Sequence, residues 1–151
     1  MTRTPGDDVL LAALRLAMGI SVRAADEVGD ISPVQLRALT VLRETAGANL
    51  VQLAQGMGVT VSTASRLVDR LVAAGLAERR PAPQTRREIR LSLTRSGKAT
   101  LARYDRLRVA GLRQCLDHVP AEQHEPLMAA LRTLIDAVPA VRESPPPAPA
   151  G

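Results

Sequence analysis

The chain has 151 residues, of which 46% are apolar and 23% charged, and this composition excludes an intrinsically disordered protein. Its net charge of +5 favours a polyanionic partner, and its single cysteine excludes an intramolecular disulfide framework. There is no Trp or Phe and only one Tyr, so aliphatic side chains must fill the core. Such side chains suit helix-on-helix packing.

The first predicted helix spans residues 8–28. Asp7 or Asp8 can cap it, and apolar residues then recur at helical spacing from Val9 to Val22. This apolar run contains Arg15 and follows two acidic residues, which is the wrong pattern for a signal peptide. It is also too short to cross a bilayer. We therefore expect a cytoplasmic protein with no membrane partner.

The next two predicted helices have local start signals. Ser32-Pro33-Val34-Gln35 places Ser at the N-cap, Pro in the first turn and Gln where it closes a capping box, and Gly47 ends this helix. Asn49 caps a short helix that continues through Gln55.

A helix-turn-helix is predicted from the segment that follows. Gly56-Met57-Gly58-Val59 forms a tight turn, and Thr60 caps a helix that runs to about Ala74. Small residues at Ala54 and Gly58 allow the two helices to approach closely at a steep angle.

A β-hairpin is predicted after this helix. Residues 76–80 lead into a tip that contains Pro81 and Pro83, and residues 88–93 alternate polar and apolar side chains. The prolines indicate that the tip projects from the protein.

Two helices are predicted beyond the hairpin. A long helix starts after Thr94 and reaches about His118, and a last helix carries the apolar stripe Leu127, Leu131, Leu134 and Val138. Pro126 would either kink this helix or occupy its first position. Residues 143–151 are predicted to be a disordered Pro-rich tail, which leaves a single domain over residues 1–142.

The helix after Thr60 carries the strongest functional signal. Its inward positions are apolar, whereas its outward positions suit contacts with phosphates and base edges in a DNA major groove. The predicted DNA-binding residues of this helix are Val61, Ser62, Thr63, Ser65, Arg66 and Arg70. For this helix alone, an ordinary solvated amphipathic helix is an equally good interpretation.

The hairpin favours DNA over that alternative. Eight arginines and three acidic residues lie between Thr60 and Arg95, so this segment carries the net charge of the whole chain. A basic ribbon beside a recognition helix can reach the minor groove, which attracts arginine. The predicted DNA-binding residues of this wing are Arg80, Thr85, Arg86, Arg87 and Arg90.

The order and spacing of these motifs resemble the MarR family, the multiple-antibiotic-resistance regulators. The resemblance rests on the stretch from Leu53 to Leu71, followed by Gly75-Leu76, Arg86-Arg87 and Leu93-Thr94-Arg95-Ser96-Gly97. It implies a mainly α fold with a β-hairpin wing, in which a lobe at about residues 32–95 is flanked by dimerisation helices at about 8–28 and 95–138.

The resemblance also implies a function. A homodimer would read a pseudo-palindromic operator in double-stranded DNA, and a small molecule would relieve repression of an adjacent operon or of its own. The implied effector pocket draws on Leu14, Arg15, Met18, Leu36 and Tyr104. The family's wing tip reads Asp-x-Arg, so Arg87 takes the minor-groove role here, while Thr85 replaces the aspartate and removes an orienting partner.

The apolar faces of the flanking helices independently favour a dimer, because one small lobe cannot cover them. A two-fold dimer would place its recognition helices roughly 34 Å apart, which is one turn of DNA.

Two alternatives remain from the sequence. The altered wing tip and the aromatic-poor core fit a constitutive or architectural DNA-binding protein without an effector. Cys115 and His118 suggest a redox- or metal-responsive regulator, although a closed zinc site would need about four ligands and a buried inert thiol explains the cysteine better. Motifs for catalysis are missing from the sequence, so we expect neither an enzyme nor a cofactor or metal site.

Overall fold

The computed structural model describes residues 4–82 and 88–137. In chain order, its elements are α1 (Pro5–Val28), α2 (Pro33–Glu44), α3 (Leu50–Met57), α4 (Val61–Ala73), β1 (Ala77–Pro81), β2 (Ile89–Leu93), α5 (Arg95–Leu116), a short 3-10 helix (Ala121–Gln123) and α6 (His124–Asp136). This order confirms the predicted mainly α class with a small β-hairpin.

The chain divides into two compact units, Met1–Leu112 and Arg113–Gly151. The predicted single domain over residues 1–142 stays a prediction. The predicted tail at 143–151, like Val138 and Pro83, lies outside the described residues. Within the described ranges, no helix combines the length and the apolar character that crossing a membrane requires.

Side-chain caps start the helices of the lobe. Ser32 Oγ accepts a hydrogen bond from Gln35 N at 3.2 Å, and Ser32 N donates in return to Gln35 Oε1 at 2.9 Å; Asn49 and Gln52 form the same reciprocal pair. Thr60 caps α4 by accepting from Thr63 N. These caps were predicted because they depend only on neighbouring residues.

The start of α1 differs from the prediction. The helix begins at Pro5 with Thr4 as its N-cap, not at residue 8 after an aspartate. Asp7 instead lies at the third helical position, where its carboxylate accepts from Thr4 N at 2.8 Å. The aspartate therefore serves the first turn from inside the helix, as the acidic member of a capping box does.

The last helix also starts earlier than expected. It begins at His124, so Pro126 is its third residue and neither kinks it nor occupies its first position. A proline fits there because the first-turn N–H groups of a helix have no intrahelical partner.

Two glycines at the C-terminal end of α3 have different roles. Gly58 adopts a left-handed conformation with φ 67° and ends α3. The close approach lies at Gly56, where an added Cβ would stand 2.7 Å from Cγ1 of Val41 on α2. The expectation that Gly58 permits close packing was therefore wrong, since nothing would lie within 4 Å of a Cβ there.

The core of the first unit is aliphatic and draws on α1–α5 and both strands. Its largest fully buried side chains are Leu36, Leu39, Leu53, Val68, Leu71 and Leu101. The hairpin is antiparallel, with Ala77 opposite Leu93 and Pro81 opposite Ile89. Leu91 N also donates to Ala48 O at 2.8 Å, which ties β2 to the turn before α3.

Candidate nucleic-acid interface

Helix α4 separates its faces sharply. Four apolar residues face the core, namely Ala64, Leu67, Val68 and Leu71. The predicted contact residues lie on the other side: Val61, Ser62, Thr63, Arg66 and Arg70 are exposed, and Ser65 is half-buried. The structure therefore brings all six predicted residues of this helix onto or beside one accessible face.

The three acidic residues of α4 and the hairpin are each paired with an arginine of the hairpin. Asp69 binds Arg79, Glu78 lies 2.8 Å from Arg80, and Glu88 lies 2.8 Å from Arg90. In contrast, Arg66 and Arg70 have no carboxylate partner in the part of the chain that the structure describes. Their positive charge therefore remains available on the outward face of α4.

A shallow groove follows these two arginines. It has a volume of about 230 Å³ and lies between α4 and the first turn of α2. Its lining combines the two guanidinium-bearing side chains with apolar and hydroxyl groups, from Val34, Thr63, Arg66, Leu67 and Arg70. Arginine and hydroxyl groups along a groove suit contacts with the phosphates of DNA.

The wing residues have different environments. Arg80 is 69% exposed and salt-bridged to Glu78. Arg90 turns toward the lobe, because its Nη1 donates to Gly47 O at 2.9 Å. The other predicted wing residues, Thr85, Arg86 and Arg87, lie outside the described residues.

The predicted effector-pocket residues differ in exposure. Leu14, Arg15 and Met18 are exposed on α1, whereas Leu36 and Tyr104 are packed in the core. The Arg108 guanidinium lies 5.1 Å from the centre of the Tyr104 ring. A cavity of about 290 Å³ occurs elsewhere in the first unit, lined by Leu42, Arg43, Ala46, Gly47, Ser92, Leu93 and Lys98. Sequence patterns did not indicate it, because its walls come from distant segments.

Cys115 and the two histidines do not form a metal site in the structure. Cys115 is a half-buried free thiol. His118 Nδ1 lies 2.9 Å from Gln114 O, and His124 Nε2 lies 2.8 Å from Val119 O, so each histidine bonds to a backbone carbonyl. Among residues 4–82 and 88–137, His, Cys, Asp and Glu side chains nowhere gather in threes around a possible metal position.

The α3–turn–α4 pair and the adjoining hairpin define a winged helix-turn-helix protein. Residues 29–88 match the model of the MarR family. Solved structures agree along nearly the whole chain. RV1404 from Mycobacterium tuberculosis is 31% identical with a TM-score of 0.78, and the alignment covers 91% of this chain and 96% of that one.

Two further structures are similar. The transcriptional regulator Tm0710 from Thermotoga maritima is 22% identical with a TM-score of 0.77, and the alignment covers 95% of this chain and 100% of that one. The transcriptional repressor CouR, bound to a 23-mer DNA duplex, is 26% identical with a TM-score of 0.63, and the alignment covers 87% of this chain and 92% of that one. A comparison with curated proteins found no match.

The chain belongs to the MarR family and is a DNA-binding transcriptional regulator of the winged helix-turn-helix class. This assignment makes it a regulator and not an enzyme, in agreement with the prediction from the sequence.

Proposed function

We propose that the protein is a homodimeric repressor that binds a pseudo-palindromic operator, with α4 of each protomer in the major groove and the hairpin beside it. One observation carries the proposal. On the exposed face of α4, Arg66 and Arg70 are free of carboxylates within the described residues, whereas the three acidic residues of α4 and the hairpin are each paired with an arginine of the hairpin. Unpaired arginines on a helix of this class are suited to phosphates and guanine edges.

The remaining DNA contacts are proposed from position. The hydroxyl groups of Ser62, Thr63 and Ser65 can donate to phosphates, and Val61, which is 44% exposed, can meet thymine methyl groups. Arg80 would contribute positive charge from the wing, together with Thr85, Arg86 and Arg87 at the tip.

Exposed apolar side chains in both units support the dimer. In the first unit, α1 exposes Val9, Leu10, Leu14, Met18 and Val22 by 49% or more. In the second unit, α6 exposes Leu127, Leu131, Leu134 and Ile135 by 36% or more. Apolar stripes of this extent usually mark interfaces, and a two-fold dimer is the commonest way to bury them.

Operator binding by alanine variants tests the proposal. We expect Arg66→Ala and Arg70→Ala each to weaken binding, and each lost phosphate contact to reduce the slope of log K against log salt by about one. Arg66→Ala should also relax base preference by about 1–3 kcal/mol if the residue reads a guanine. Arg106→Ala, a change at an exposed arginine on α5, is the matched control. Equal affinities and slopes for all four proteins would refute the proposal.

Relief of repression by a small molecule is the finer part of the proposal, and it rests on the family resemblance. A constitutive regulator is the second candidate, favoured by the burial of Leu36 and Tyr104 in the core, where neither side chain is open to a ligand. Footprinting of the promoter beside the gene, with and without a panel of aromatic acids and phenols, distinguishes the two. Release of a defined palindrome supports an effector, and an unchanged footprint supports constitutive binding.

A further inference from the structure

A salt bridge joins the recognition helix to the first strand of the wing. Arg79 Nη2 on β1 donates to Asp69 Oδ1 on α4. Asp69 is the sole acidic residue of α4, and it lies one position before Arg70 on a helix whose exposed side is otherwise neutral or basic. A carboxylate on a surface that meets phosphates costs binding energy unless it has another role.

The second strand of the wing is held separately. Arg90 donates to Gly47 O, and Leu91 N donates to Ala48 O, so β2 is anchored to the turn between α2 and α3. Both bonds are made by β2, and β1 is held indirectly through its antiparallel pairing with β2. The Asp69–Arg79 pair is the corresponding side-chain link for β1. It connects this strand directly to α4, the recognition helix.

We propose that Asp69 and Arg79 act as a strut that fixes the wing at a set position beside α4, and that Arg79 is a positioning residue instead of a phosphate ligand. The inference rests on the proposed binding of α4 and the wing to DNA. A hairpin already held at its productive angle loses less conformational freedom on binding, so the strut raises affinity without touching the operator.

The two possible roles of Arg79, in the strut or as a phosphate ligand, predict opposite changes in operator affinity for Asp69→Asn. If Arg79 binds phosphate, Asp69→Asn removes a competing negative charge and leaves affinity unchanged or increased. If the pair is a strut, the same substitution frees the wing and lowers affinity, despite the more favourable charge. Both side chains are substantially exposed, 61% for Asp69 and 39% for Arg79, so these changes do not disturb the core.

A double-mutant cycle in operator binding tests the strut. The full-length protein is compared with Asp69→Asn, Arg79→Gln and the double variant on one duplex at several salt concentrations, and thermal unfolding checks that all four fold. We expect each single variant to lose about two- to five-fold in affinity, the range of an exposed ion pair. The double variant should be no weaker than Arg79→Gln, and Asp69→Asn should keep the wild-type salt slope.

Two results would overturn the strut. One is an Asp69→Asn variant that binds as tightly as the wild type or more tightly. The other is additive losses combined with a salt slope that falls by about one in Arg79→Gln, as expected for a phosphate ligand. A wild-type protein that binds no duplex would instead refute the proposed function, so the two failures can be told apart.

Discussion

At the scale of single residues, contacts of Thr94 and Gly97 explain two positions of the Leu-Thr-Arg-Ser-Gly motif that follows the wing. Thr94 donates from its hydroxyl to Gly75 O at 2.6 Å and accepts from Gly97 N at 3.0 Å. This arrangement packs the first turn of α5 closely against Leu76, the residue before β1. A Cβ on Gly97 would lie only 1.9 Å from Leu76 O, a backbone atom that cannot swing away.

We therefore expect Gly97→Ala to destabilise the protein, although alanine is the better helix former. Overpacking of a tight site costs about 1–3 kcal/mol in the free energy of unfolding, which urea titration measures. Gly6→Ala is the matched control, because it adds the same methyl group to a helix where the nearest atom, Thr4 Oγ1, would lie 3.9 Å away. Equal stability of the two variants would contradict the close contact at Leu76.

At the scale of elements, the N-terminus of α4 depends on one side chain. Thr60 Oγ1 accepts from Thr63 N at 3.2 Å, and the hydroxyl groups of the two threonines lie 3.0 Å apart. The cap therefore fixes the first turn of the helix and orients Thr63, which is itself a proposed DNA contact.

Removal of this cap should affect both stability and DNA binding. We expect Thr60→Ala to lower the free energy of unfolding by about 0.5–2 kcal/mol, because the Thr63 N–H loses its partner. Operator affinity should fall as well, since the fraying turn carries Val61, Ser62 and Thr63. Thr60→Ser keeps the oxygen and should retain both properties. If Thr60→Ala and Thr60→Ser gave the same denaturation curves and the same binding curves, the cap would have no such role.

The elements that were predicted correctly are those with local signals. Ser32, Asn49 and Thr60 each cap a helix through a residue three positions away, so the sequence contains both partners of each bond. The inward face of α4 follows from its apolar periodicity in the same way.

The interactions that were missed join distant parts of the chain. Arg90 is 43 residues from Gly47 in the sequence. The sequence therefore predicted that Arg90 belongs to a charged ribbon, but it did not predict the hydrogen bond that anchors this ribbon to the lobe. Gly56 packs against Val41 of another helix, whereas Gly58, the more obvious turn residue, makes no such contact. Asp69 gave a faint signal as the lone acidic residue on α4, but no sequence pattern identified Arg79 as its partner.

At the scale of the whole molecule, the exposed apolar stripe of α6 is a surface that the proposed dimer would bury. Leu134 is 62% exposed and Ile135 is 64% exposed, on a helix whose described residues include none that is fully buried. If the proposed dimer is correct, contacts with the second chain bury these side chains and supply the stabilising energy. DNA binding then depends on α6 without any contact between that helix and the operator.

We therefore expect Leu134→Asp to weaken the proposed dimer and, as a consequence, to lower operator affinity. Burying a leucine side chain is worth about 1.5–3 kcal/mol, and 1.4 kcal/mol is a factor of ten, so the dimer dissociation constant should rise at least about tenfold. Sedimentation measures this change over a concentration series. Operator affinity should fall in the same variant at concentrations where monomer prevails, because a single lobe reads one half-site.

Ala129→Asp is the control, since it adds the same carboxylate to an exposed position on the opposite side of α6. It should leave the dimer and the operator affinity intact. If Leu134→Asp remained dimeric, the interface would lie away from α6, and the exposed stripe of α1 would be left as the surface that brings two recognition helices onto one operator.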